Sequence, residues 1–249
     1  MFPSKFRICY AFGIPVYLDM SLIVLLVLFV MDFGSISFGL ACALALAVSI
    51  TLHELGHALT ARAFGYQTRD ITLSLLGGCA SLIGMPRKAS QEFLTALAGP
   101  LVSFLLAGVG WAAARFLPIE NAWLWGVLAY VFWMNLILGA FNLLPGFPMD
   151  GGRIFRSVLR IAFTRAKATY VAMVVGRAAA VMLVVLPLLG ITHIWIIPIG
   201  GSLILRALIA WMIWQEGYRE YLMALEEERF TRWTQADFDA RVSPPPYDR

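Results

Sequence analysis

Six apolar stretches, each close to the ~20 residues needed to cross a bilayer core, divide this chain and leave it few soluble alternatives. They cover about residues 16–31, 38–64, 93–116, 122–142, 170–189 and 194–214. Basic residues collect in alternate loops between them. Lys5 and Arg7 precede the first stretch, and Arg62, Arg69, Arg87 and Lys88 lie between the second and third. Arg153, Arg156, Arg160, Arg165 and Lys167 separate the fourth from the fifth, and Arg219 follows the sixth. The remaining loops hold Asp32, then Arg115 with Glu120, then His193. By the positive-inside rule this pattern puts both termini in the cytoplasm. The expected fold class is an all-α integral membrane protein with about six transmembrane helices. Only 14% of the residues are charged, where soluble domains carry about 25%. The formal charge of +4 falls in the loops, so topology accounts for it and no nucleic-acid partner is expected. Cys9, Cys42 and Cys79 are odd in number and scattered, which argues against a disulfide framework and a Cys-ligated metal.

Two segments depart from the helical pattern. Residues 71–76 and 79–83 alternate around Gly77-Gly78, which predicts a β-hairpin after the second span. It is apolar for a cytosolic hairpin, so it is expected to be membrane-associated and packed against protein that keeps its backbone paired. From Gln215 onward the chain becomes charged, with a helical stretch over 216–232 and a run of three prolines at 244–246. The expected organisation is a polytopic membrane domain over 1–214, with its core at about 38–156, and a cytoplasmic tail over 215–249.

Within the second stretch, the uncharged apolar run 38–52 ends on His53-Glu54-Leu55-Gly56-His57. H-E-x-x-H on a helix sets two imidazoles one turn apart on one face, able to share one Zn²⁺, with the Glu between them available as a base. Ionisable groups at membrane depth are costly and mark function. Two of the chain's three histidines lie in this motif. Arg62 is the first strong charge beyond it, nine residues after His53. At about 1.5 Å per residue the motif is expected roughly 13 Å inside the cytoplasmic boundary.

Two histidines leave a catalytic zinc site one protein ligand short. Asp150 is the candidate, in the run from Asn142 through Pro145-Gly146-Phe147-Pro148-Met149-Asp150-Gly151-Gly152. Pro145 and Pro148 must break the helix after the fourth span, and Gly151-Gly152 permits close backbone approach. An acid on irregular backbone at a membrane boundary can reach a neighbouring helix.

Together, His53-Glu54-Leu55-Gly56-His57-Ala58 and the stretch from Asn142 to Gly152 resemble the two signatures of the site-2 proteases, the intramembrane zinc metalloproteases. The Gly77-Gly78 segment resembles that family's membrane-associated hairpin, Gly99-Pro100 its Gly-Pro motif, and Gly13-Ile14-Pro15-Val16 its approach to the first span. The resemblance covers about residues 13–156. Ser103 stands where many members carry Asn, and the PDZ or CBS domain of many relatives has no counterpart in this sequence.

The resemblance implies that His53, His57 and Asp150 bind one Zn²⁺ and that Glu54 is the catalytic carboxylate. Asn142 is a candidate donor to the substrate backbone or to a developing oxyanion. The implied function is a zinc-dependent endopeptidase that cleaves transmembrane or membrane-proximal segments of membrane-protein substrates, with the bilayer as a second partner. A helical substrate hides its peptide bonds in i→i−4 hydrogen bonds, so substrates with helix-destabilising residues near the cut are expected to be preferred. Two rivals share part of the pattern. One is a membrane zinc protease acting on soluble or lipidated peptides; the other is a non-enzymatic metal transporter or pseudoprotease, whose polar cluster would line a pathway.

Overall fold

The structure is a computed structural model that describes residues 5–32, 34–74, 77–83, 88–191, 193–194, 197–198 and 202–242. Arg87, Trp195 and the prolines at 244–246 lie outside the described residues. The chain is mainly helical: α1 (Met20–Asp32), α2 (Ile36–Ala63), α3 (Ala89–Phe116), α4 (Ala122–Asn142), α5 (Asp150–Leu159), α6 (Arg165–Leu188) and α7 (Leu203–Val242). Four helices among the described residues, α2, α3, α4 and α6, are long and apolar enough to cross a membrane. The protein is an integral membrane protein.

The strands depart furthest from expectation. The sequence reading allows one hairpin, whereas β1 (Lys5–Ala11), β2 (Ile14–Asp19), β3 (Gln67–Ser74) and β4 (Gly77–Ile83) form one sheet in the order β1-β2-β3-β4. Residues 5–15, expected as the approach to the first span, and 16–19, expected as its first residues, form a hairpin, and helix α1 starts only at Met20. The hairpin's Ala11↔Ile14 pair leaves a two-residue loop, Phe12-Gly13, with φ of 50° and 80°. A two-residue loop with both φ positive matches the right-handed twist of the flanking strands. β2 then pairs with β3 in parallel, Val16 opposite Ile71 and Leu18 opposite Leu73. The alternation is legible in retrospect: Ile14, Val16, Ile71 and Leu73 all face inward, onto Ile50, Leu55 and Ala58 of α2. The sheet therefore packs on the helix that carries His53 and His57.

The β3–β4 hairpin is present, with its turn displaced from the expected position. Gly77 pairs with Ser74 and Gly78 with Leu73. Both glycines are thus strand residues, and residues 75–76 lie outside the described residues. The sixth apolar stretch also differs at its start. His193–Ile194 and Ile197–Pro198 form two short antiparallel strands, β5 and β6, and helix α7 begins only at Leu203. A proline at 198 cannot donate to a helix ladder. The 216–232 segment is helical as expected, as part of the continuous α7.

α5 is held by charge. Arg156, 2% exposed, donates through Nε to Glu92 of α3 at 2.7 Å and through Nη1 to Glu220 of α7 at 2.9 Å, while its guanidinium lies over the Phe147 ring. Arg160 adds a second bond to Glu92 at 3.0 Å, and Arg153 approaches Glu220 at 3.8 Å. Burial pushes the Glu220 carboxyl up, but Arg156 and Arg153 beside it hold it below its ordinary range. Arg156→Ala leaves buried Glu92 and partly buried Glu220 without their shared cation, and is expected to cost about 3–5 kcal/mol of stability. Arg153→Ala, at a looser and more exposed pair, should cost under about 1 kcal/mol. Thermal midpoints of the two variants, measured side by side in one detergent, check the contrast.

Candidate metal centre

His53 and His57 lie one turn apart on α2 and are both buried. Their Nε2 atoms are 3.2 Å apart, and each stands 3.2 Å from Asp150 Oδ2. Asp150 is the first residue of α5 and comes from the other end of the chain's core. A Cβ on Gly151 would run into the Leu143 and Leu144 carbonyls, and one on Gly152 into the Gly146–Phe147 peptide. The two glycines therefore let α5 start tightly against the turn that ends α4, which brings Asp150 to α2.

Three donor atoms at this spacing fit one ion. Zinc bonds of about 2.0–2.1 Å at tetrahedral angles put ligand atoms about 3.3 Å apart. The donor chemistry agrees. The Thr95 carbonyl can only accept, so His57 Nδ1, at 2.7 Å, must carry the proton and donate. In the neutral ring, Nε2 then carries a bare lone pair directed at Asp150. His53 Nδ1 stands 2.9 Å from Ser103 Oγ, a hydroxyl able to accept from it in the same tautomer. Two bare nitrogens and a carboxylate converging in a buried space repel one another unless a cation joins them. Among the described residues, His53, His57 and Asp150 are the one group of this kind placed to hold a metal ion.

The walls of the site explain residues whose roles the sequence left open. A Cβ on Gly99 would stand 2.5 Å from His57 Cε1 and 2.7 Å from His53 Nε2. Gly99-Pro100, matched from sequence only to the family's Gly-Pro motif, packs against the two imidazoles themselves. A Cβ on Gly78 would stand 2.7 Å from Glu54 Cδ, so β4 presses bare backbone on the carboxylate. Glu54 is buried, one residue on from His53. Ser103, read from sequence as a departure from the family pattern, is fully buried and anchors His53. One turn before His53, Ser49 Oγ accepts from Asn135 of α4, itself fully buried. Sequence reasoning missed this pair, for which the one signal was an Asn inside an apolar span. Asn142 closes α4, and its Nδ2 donates to Leu138 O at 3.0 Å within the same helix.

A family model described as peptidase family M50 matches residues 41–121 and 118–186. The chain belongs to peptidase family M50. Both M50 segments fall on the helices just described. A Synechocystis protein named as a candidate zinc metalloprotease is 33% identical over 94% of this chain and 64% of its own length. A zinc metalloprotease of Methanocaldococcus jannaschii is 35% identical over 74% of this chain and 54% of its own. This chain thus spans roughly half to two thirds of those M50-like relatives. The solved site-2 protease from Methanocaldococcus jannaschii superimposes with a TM-score of 0.62 at 30% identity, covering 87% of this chain and 95% of that one. The fold is that of a site-2 protease, and the metal its donor set fits is zinc.

A supporting contact of this kind typically changes metal affinity 10- to 100-fold when removed. Ser103→Ala is expected to weaken zinc binding by about tenfold, and Ser103→Asn to restore part of it. Competition with a fluorescent chelator measures both.

Proposed function

We propose that this chain is a zinc-dependent intramembrane endopeptidase acting on transmembrane or membrane-proximal segments of other membrane proteins. The observation that carries the reading is the convergence of His53 Nε2, His57 Nε2 and Asp150 Oδ2 beside Glu54, on a helix apolar enough to span a bilayer. In this reading His53, His57 and Asp150 hold the zinc, and Glu54 is the general base and acid. Bound zinc supplies Lewis-acid polarisation of the scissile carbonyl and lowers the pKa of water toward ~7. Glu54 takes a proton from the attacking water on its carboxylate and returns it to the leaving nitrogen. Thr95 and Ser103 keep the imidazole Nδ1 protons in place, so that Nε2 stays free for the metal. Asn142 gives its amide to the substrate backbone, exchanging that bond for the one to Leu138.

β4 is the last strand of the sheet, and its Gly78 touches Glu54. An unwound substrate segment paired to its outer edge would lie alongside the catalytic carboxylate in extended form. The topology we propose has six crossings: the four long apolar helices, with α1 and the apolar start of α7 completing the set. Both termini are then cytoplasmic, the tail from 215 onward extends α7 into the cytoplasm, and the zinc lies inside the bilayer toward that side.

The test is reconstitution. The purified chain in lipid vesicles should cut a co-reconstituted single-span substrate within or next to its apolar segment. Chelation should stop the cleavage, and stoichiometric zinc should restore it. Cleavage confined to soluble or lipidated peptides would replace this reading with an aqueous-facing peptidase. Metal uptake into the vesicles without cleavage would replace it with a transporter.

A further inference from the structure

α6 and α7 run antiparallel, and the contacts between them define a level for each residue. Ala166 N donates to Glu228, Tyr170 stacks on Tyr221, a Cβ on Gly217 would face Met173, and Arg177 lies over Trp214 and Tyr218. Arg177 is the one arginine in the described residues of α6 beyond its first turn. It stands where α7 changes from the apolar run ending at Trp214 to Gln215, Glu216 and Arg219. That level is where the apolar part of this helix pair gives way to its charged part.

The guanidinium is held by its faces alone. Its carbon lies 4.3 Å from the centroid of the Trp214 ring and 5.8 Å from that of Tyr218. No hydrogen bond or ion pair reaches it among the described residues, and its Nε is buried without an acceptor. Ring faces attract the positive charge, but they do not use the five N–H donors that lie in the guanidinium plane. Leaving those donors unmade near hydrocarbon is expensive, and a phosphate accepts them in pairs.

On the bilayer side of Arg177 an apolar groove begins. It is lined by Ala180, Val181 and Val184 of α6 and by Ala210, Trp211 and Trp214 of α7, with a volume of about 480 Å³. Trp214 belongs both to the groove and to the guanidinium's stack. An extended chain fits along its length. We infer that this groove and Arg177 form a site for one anionic phospholipid, with the phosphate on the Arg177 guanidinium and an acyl chain between α6 and α7. The net negative headgroup matches the single unpaired cation, whereas a zwitterionic headgroup carries its own. The site lies on α6 and α7, apart from His53, His57 and Asp150, and it stands whether or not the chain is a peptidase.

The test titrates the purified full chain in detergent with phosphatidylglycerol or phosphatidylcholine of identical acyl chains, counting bound lipid by native mass spectrometry. Wild type should bind phosphatidylglycerol about tenfold more tightly. Arg177→Gln should lose that preference and Arg177→Lys keep part of it. Val184→Trp, which fills the groove and leaves the cation, should weaken both lipids alike. Equal binding of the two lipids by wild type overturns the inference, and so does an unchanged preference in Arg177→Gln. If Arg177→Gln does not fold, unaltered lipid binding by Val184→Trp overturns it. Capture of an apolar transmembrane peptide at Val184 with no lipid retained would do so as well.

Discussion

Glu54→Gln is expected to abolish peptide-bond cleavage while leaving zinc bound. Gln keeps the size and shape of Glu and can fill the same space against Gly78. It has no basic oxygen to take a proton from water and none to pass to the leaving nitrogen. General acid–base groups contribute about 10²–10⁴-fold each, and this carboxylate serves both steps, so the loss should reach the upper end of that range. Zinc content should not change, because the atoms that converge on the metal position belong to His53, His57 and Asp150. Cleavage rates and zinc-to-protein ratios on one preparation separate the two effects. A variant that cuts at the wild-type rate would remove Glu54 from the chemistry. One that loses zinc would mean the carboxylate holds the ion instead of serving as the base.

Gly99→Ala is expected to cost the protein its zinc. In the interior of an ordinary helix this exchange is favourable, since Gly is worse than Ala by about 0.5–1 kcal/mol. Here the new methyl would stand 2.5 Å from His57 Cε1 and 2.7 Å from His53 Nε2. Neither imidazole can retreat freely, because His57 is tied to the Thr95 carbonyl and His53 to Ser103. Those tethers belong to α3, the same helix that carries Gly99. The rings must turn, and the triangle of donors opens. Zinc affinity should fall by more than about 100-fold, beyond the usual effect of a single supporting contact, with cleavage lost in proportion. Gly108→Ala on the same helix, where an added methyl meets nothing within 4 Å, should leave zinc and cleavage at wild-type levels. Equal zinc binding in the two variants would show that the rings are not confined as described.

The residues to which we assign the site's chemistry were legible because their signals are local. His53, Glu54 and His57 lie within one turn and a half of helix, so their spacing alone sets two nitrogens and a carboxylate together. Asp150 was legible as a pattern of neighbours, with prolines that must break a helix and glycines that permit approach. What remained hidden was the surroundings. Ser103 looked like a departure, yet it holds His53 from 50 positions away. Gly78 looked like half of a turn, yet it is a strand residue whose missing side chain makes room for Glu54. Residues 5–15 looked like the approach to a membrane helix and 16–19 like its first turn. Their alternation of Ile14 and Val16 had the strand period, but the apolar run after them masked it.

The sequence by itself determined that this chain lives in a membrane, which helix bears the paired histidines, and which acid could join them. Composition, helical period and the reach of proline and glycine are properties of neighbouring residues, and they need no partner to be read. Tertiary structure alone decided that a four-stranded sheet backs α2, that Gly99 and Gly78 leave the room in which the two imidazoles and Glu54 stand, and that Arg156 locks α5 to α3 and α7. Each of these is a contact between residues tens of positions apart, and such contacts depend on how whole helices cross. No local pattern records that angle.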